Sequence, residues 1–251
     1  MKKLIIANWK TNPSTVREAA ELARKTELAA AAHRNVSVVV APPFPFLGVV
    51  ASELKRAKLG SQNTFWADAG PYTGEVSWRQ LKSLKVNHVI VGHSERRLLL
   101  GETDEMIAKK VRALLEHDLA PILCVGEYQR ADHEMSETVA HQLEAALAGV
   151  KKSLIKNLTI AYEPVWAIST TPDSRPDTPE NAFQSAIYVR KIISRVFGRT
   201  AGESVRIIYG GSVTARNISS FLTEGRMQGA LIGGASLNAQ EFTRIIASAS
   251  A

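Results

Sequence analysis

The chain has 251 residues, with 31 Lys and Arg against 24 Asp and Glu for a formal net charge of +7, and 45% hydrophobic and 22% charged residues. This ordinary globular usage excludes a largely disordered chain, and a single cysteine, Cys124, excludes an internal disulfide and favours a reducing compartment, the cytoplasm. Basic residues recur singly or in pairs from Lys2 to Arg244 without interleaved stacking aromatics, which argues against a nucleic-acid partner; no apolar run nears the roughly 20 residues of a membrane-spanning helix, and Leu4 to Trp9 is too short for a secretory leader.

Taken in chain order, short apolar, β-branched runs occur at Leu4 to Ala7, Val36 to Ala41, Val86 to Val91, Pro121 to Val125, Leu158 to Tyr162, Val205 to Tyr209 and Gly229 to Ile232. They are continuous where a half-exposed strand would alternate, so they predict parallel strands buried on both faces. Between them, stretches of helical period run from Ser14 to Ala32 with Ser14 as a cap candidate, from Thr103 to His117, from about Glu134 to Lys152, from Pro179 to Phe197, from Ala215 to Thr223 and from Asn238 to Ala247. A weaker pair, Phe46 to Lys58 then Leu59 to Gln62, completes about eight βα units of about 31 residues, which predicts one (β/α)₈ barrel over residues 1–251. The Pro-dense stretch from Pro172 to Pro179 belongs to a loop of about 15 residues counted from Glu163, long enough to read as a functional lid and not as a linker.

In such a barrel the chemistry gathers at the carboxyl ends of the strands. The polar residues that end the apolar runs are Asn8 and Lys10, then His93, Ser94 and Glu95, then Cys124 and Glu127, then Glu163, then Gly210-Gly211-Ser212, and last Gly233-Gly234. They supply a carboxylate base, an imidazole, an ammonium and two glycine-rich turns before helices, where backbone N–H groups can approach an anion such as phosphate. No His-x-x-x-His or paired-Cys spacing points to a metal, and no cofactor is called for.

The segments Ala7-Asn8-Trp9-Lys10, Val91-Gly92-His93-Ser94-Glu95-Arg96-Arg97, Cys124-Val125-Gly126-Glu127, Ala161-Tyr162-Glu163-Pro164-Val165-Trp166, Tyr209-Gly210-Gly211-Ser212-Val213 and Leu231-Ile232-Gly233-Gly234-Ala235-Ser236-Leu237 follow one another over nearly the whole chain. In this order they resemble the triosephosphate isomerase family. The resemblance implies an aldose–ketose isomerase of glycolysis and gluconeogenesis that interconverts dihydroxyacetone phosphate and D-glyceraldehyde 3-phosphate through an enediolate. It implies Glu163 as the carbon base, His93 as a neutral electrophile, for which this family is the reference case, and Lys10 with Asn8 as donors to the developing negative charge. Glu95 would support Lys10, and the phosphate would lie on Ser169, Ser212, Gly233 and Gly234. Gln62-Asn63 with Tyr72-Thr73-Gly74-Glu75 resembles the family's protruding third loop, which implies a homodimer.

Other residues read as structural: Cys124 as packing beneath the site, Arg96 and Arg97 as ion-pair partners holding loops, and His33, His88, His117, His133 and His141 as helix-surface or structural groups. The lid departs from the family, since Ser169-Thr170-Thr171 replaces a Gly-Thr-Gly tip and the stretch from Pro172 to Asp177 carries an insertion of about three residues. Tyr128 to His133 also departs from the family's longer Glu/Arg-rich stretch. Two other readings remain compatible with the sequence: a related isomerase of a four-carbon ketose phosphate, for which an altered lid leaves room, and a barrel that binds sugar phosphate without turnover.

Overall fold

The computed structural model describes residues 1–129, 137–168, 171 and 173–251. Eight parallel strands close into a barrel in chain order: β1 (Lys3–Asn8), β2 (Val36–Ala41), β3 (Lys58–Ser61), β4 (His88–Val91), β5 (Ala120–Glu127), β6 (Thr159–Pro164), β7 (Arg206–Tyr209) and β8 (Gly229–Ile232). β1 closes the ring on β8 with Ile5 opposite Ala230. Both strand faces are buried, as continuous apolar runs require. One face fills the barrel with Leu4, Ile6, Val39, Ala41, Ile90, Ile122, Cys124, Ala161, Ile208 and Leu231. The other face, with residues such as Ile5, Val38, Val89, Leu123, Ile160 and Ile207, packs under the helices.

The helices are α1 (Val16–Ala32), α2 (Leu47–Glu53), α3 (Trp78–Ser83), α4 (Ser94–Leu100), α5 (Asp104–Glu116), α6 (Glu137–Ala146), α7 (Pro179–Phe197), α8 (Arg199–Ser204), α9 (Ile218–Thr223) and α10 (Ala239–Ser250). Thr15, not Ser14, caps α1: its hydroxyl accepts from the Glu18 N–H while the Glu18 carboxylate accepts from the Thr15 N–H, a reciprocal capping box. The expected helix from Phe46 to Lys58 is shorter, because Leu54 turns extended and Lys58 already opens β3. The expected strand at Val86 begins two residues later, since left-handed Lys85 and the Val86 N–H are still engaged with the end of α3. Of the expected helix from Glu134 to Lys152, Glu134 to Ser136 lie outside the described residues, and α6 stops at Ala146 ahead of Gly149, whose φ is +75°. No helix among the described residues is long and apolar enough to cross a membrane.

Candidate active site

The carboxyl ends of the strands surround a cavity of about 310 Å³ whose wall includes Asn8, Lys10, His93, Ile168, Ser212, Gly233 and Gly234. Asn8 ends β1, and its Oδ1 accepts from the Lys10 N–H at 3.1 Å. Lys10 adopts φ +53°, a left-handed conformation that costs a non-glycine residue strain and persists only where its surroundings enforce it. Gln62 enforces it from the neighbouring loop by donating its amide to Lys10 O at 2.8 Å and to Ala41 O at 2.9 Å. The Lys10 ammonium meets the Glu95 carboxylate at 2.5 Å, as the resemblance implies.

His93 follows Gly92, whose φ is +73° and where an added Cβ would crowd Ile107, Arg97 and the Cys124 carbonyl, so glycine is needed to turn the chain from β4 into α4. His93 then caps α4: its Nδ1 accepts from the Glu95 N–H at 3.3 Å. With Nδ1 in the acceptor position, Nε2 is the ring's donor position. Nε2 lies 3.2 Å from Glu163 Oε1.

Glu163 projects from β6 and is only 2% exposed. Its Oε2 accepts from the Ser94 N–H at 2.9 Å, while Oε1 has no hydrogen-bond partner among the described residues. The carboxylate therefore sits against the start of α4, beside His93 but behind the cavity wall. Gly210 gives it room, because an added Cβ there would stand 2.8 Å from Glu163 Cγ. Cys124 packs beneath it in the barrel interior, where burial first and the Glu163 charge second push its thiol up and keep it an inert neutral group.

Gly234 opens a short 3₁₀ turn, Gly234–Leu237, at the cavity edge, and a Cβ added at Gly233 would come within 3.1 Å of Lys10 Cε. Ser212 lines the same cavity, but its N–H donates to Ala167 O at 3.0 Å, across to the start of the lid. Ser169 lies outside the described residues, as do Thr170, Pro172, His133 and the rest of the stretch from Arg130 to Ser136. At the far end of the lid, Tyr209 donates its hydroxyl to Asp177 Oδ2 at 3.3 Å, and the Arg175 N–H reaches Trp166 O at 2.9 Å. Burial foremost, then the Asp177 charge, pushes the Tyr209 phenol up, so it stays a donor.

Arg96 pairs with Glu102 at 2.9 Å and Arg97 with Asp104 at 2.6 Å, the loop-holding role their sequence context predicted. Glu102 also takes Lys110, at 2.5 Å, and Lys110 donates to Asn63 Oδ1 at 2.8 Å. Sequence reading missed Gln62 as the support of Lys10, Tyr209 as the anchor of the lid, and this buried cluster. His33 and His117 close α1 and α5, exposed His141 pairs with Asp104 at 3.3 Å, and His88 is buried inside the barrel. Among the described residues no group of His, Cys, Asp and Glu is arranged to hold a metal ion.

A sequence profile described as Triosephosphate isomerase matches residues 3–249. The chain belongs to the triosephosphate isomerase family. Among its relatives in that family, a triosephosphate isomerase of Caldanaerobacter subterraneus subsp. tengcongensis is 44% identical over 98% of this chain and 99% of its own length. Those of Thermoanaerobacter pseudethanolicus and Dictyoglomus turgidum are 42% and 40% identical over the same shares. The triosephosphate isomerase fold is what places Asn8, Lys10, Glu95, His93 and Glu163 together, from three strand ends that are far apart in the chain.

Proposed function

We propose that this chain interconverts dihydroxyacetone phosphate and D-glyceraldehyde 3-phosphate, as an intramolecular oxidoreductase of glycolysis and gluconeogenesis. The observation that carries the reading is the convergence of an imidazole and an ammonium on one small cavity, with a buried carboxylate 3.2 Å from that imidazole. In this reading Glu163 exchanges the Ser94 N–H for the substrate, takes a proton from one carbon and returns it to the next. Charge that develops on the substrate oxygens is met by the His93 Nε2–H and the Lys10 ammonium, with Asn8 as a neutral donor and all three fixed before the reaction begins. Glu95 is the positioning residue for both, since its carboxylate holds Lys10 and its N–H sets the His93 tautomer.

The phosphate is assigned to the backbone at Ser212, Gly233 and Gly234 and to Ser169 of the lid. For Ser212 this means releasing Ala167 O, so phosphate binding and movement of the lid's first turn are one event. The proposal extends to a homodimer in the cytoplasm, each copy a single domain. Tyr72, Thr73, Gly74 and Glu75 are all exposed, and Leu98, Leu99 and Leu100 on α4 are 56%, 77% and 66% exposed. Three consecutive exposed leucines make an apolar face that a second copy would cover.

Comparison of kcat/KM on glyceraldehyde 3-phosphate and on erythrulose phosphate tests the substrate assignment. The triose phosphate is expected to lead by roughly tenfold or more, on the order of what one surplus carbon costs in a closed site. The reverse ranking would give the four-carbon reading, and no turnover of either would give a binding protein.

A further inference from the structure

The opposite mouth of the barrel holds a set of residues that the isomerase site does not use. Side chains alternate along a strand, so residues two before an inward-facing residue also face inward. Ile90 and Ile208 belong to the inner cluster, which turns His88 and Arg206 into the barrel. A Cβ on Gly60 would meet Val39 and Ala41 of the same cluster, which turns Lys58 inward as well. Lys58, His88 and Arg206 are the first residues of β3, β4 and β7, so the three basic groups share the floor of the barrel. Thr159, the first residue of β6 and opposite Arg206 in register, adds a hydroxyl by the same alternation from Ala161.

Like charges are expensive at such a place unless something answers them. His88 is 8% exposed, its Nδ1 is buried, and it has no partner among the described residues. Arg206 Nε is likewise buried without a partner. Burial first, then Lys58 and Arg206, push the His88 imidazole down to about 4, and all three influences act in the same direction. No carboxylate is among the charges that act on His88, and Glu27, beside the start of β3, already accepts from the Arg56 and Ala57 N–H groups. Ile90 and Ile208 form the apolar layer above, so a ligand of these groups would approach from the rim.

We propose that the N-terminal mouth of the barrel binds a small tetrahedral oxyanion of the inorganic phosphate or sulfate class, between Lys58, His88 and Arg206 and remote from the isomerase cavity. The anion accepts from the Arg206 Nε–H and the Lys58 ammonium and draws a proton onto His88. It answers the two orphaned nitrogens and removes the mutual repulsion in one step.

The test is a titration of the histidine-labelled full-length protein with inorganic phosphate at pH 7, read by NMR at His88, with chloride at matched ionic strength as the control. It is run with and without a saturating phosphoglycolate-like analogue, which would occupy the isomerase cavity. The expected result is a saturable His88 response to phosphate and sulfate, unaffected by the analogue and absent with chloride. Lys58→Met and Arg206→Met should each weaken it by roughly tenfold, the worth of one charge-assisted hydrogen bond. Lys58 is exposed, so its variant keeps the assay valid if Arg206→Met unfolds. A His88 signal that does not move, that moves equally with chloride, or that titrates identically in Lys58→Met overturns the proposal.

Discussion

Replacing Lys110 by Met probes the buried cluster that ties α4 and α5 to the loop after β3. Lys110 is 2% exposed, and its ammonium divides between Glu102 Oε1 at 2.5 Å and Asn63 Oδ1 at 2.8 Å, while Arg96 holds the other Glu102 oxygen at 2.9 Å. Met keeps the apolar stem but leaves the Glu102 carboxylate, 1% exposed, with Arg96 alone. Removing one partner of a buried pair costs about 3–5 kcal/mol, whereas removing both in favour of apolar groups is close to neutral. Burial lowers the Lys110 ammonium more than Glu102 raises it, so desolvation is the dominant influence on its charge. We therefore expect Lys110→Met to lose about 4 kcal/mol and the double variant Lys110→Met/Glu102→Leu only about 1–2 kcal/mol, chiefly from Asn63 and from Arg96 turning to solvent. Urea unfolding at fixed chain concentration measures both, provided the slope with denaturant is unchanged. A single variant that loses less than about 1 kcal/mol, or a double that loses as much as the single, would refute the reasoning.

Two further outcomes follow from particular side chains. With His88 held near 4 when folded and near 6.5 when unfolded, the unfolded chain binds the extra proton between those values; stability is complete above about pH 6.5 and falls by about 3 kcal/mol as pH drops to 4 in a chloride buffer. His88→Leu should flatten that part of the profile, and equal slopes in the two proteins would count against the buried neutral imidazole. Leu99→Asp, at a position 77% exposed in one chain, should change folding by less than about 0.5 kcal/mol if that face meets water. The proposed dimer instead predicts that sedimentation finds the variant monomeric with reduced kcat, and a variant that still dimerises would remove the α4 leucines from the interface.

The barrel was legible because its strands are apolar on both faces; Val36 to Ala41 and Gly229 to Ile232 admit little else. Three of the short helices were not. α3 and α8 each have six residues and α4 has seven, too few for a period to emerge, and α4 carries its exposed leucines where a buried stripe is normally sought. Candidate site residues stand out by their place at strand ends: Lys10 and His93 line one cavity, and Glu163 lies 3.2 Å from His93 behind its wall. Supporting residues leave no such mark. Gln62 acts through an amide reaching two carbonyls from another loop, and Lys110 looks like any helix lysine until Glu102 and Asn63 fold over it. His88 reads from sequence as a structural or helix-surface group, and which face of β4 and β7 turns inward shows only once Ile90 and Ile208 are seen in the inner cluster.

Glu163→Gln tests most directly whether Glu163 is the base that moves a proton between carbons, because the amide keeps the shape and loses the basicity. Steady-state turnover of glyceraldehyde 3-phosphate should fall by about 10³-fold or more, within the range general-base catalysis supplies, while a phosphoglycolate-like analogue still binds within a few-fold of the unsubstituted protein. Turnover within about tenfold of the original would assign the proton transfer to another group.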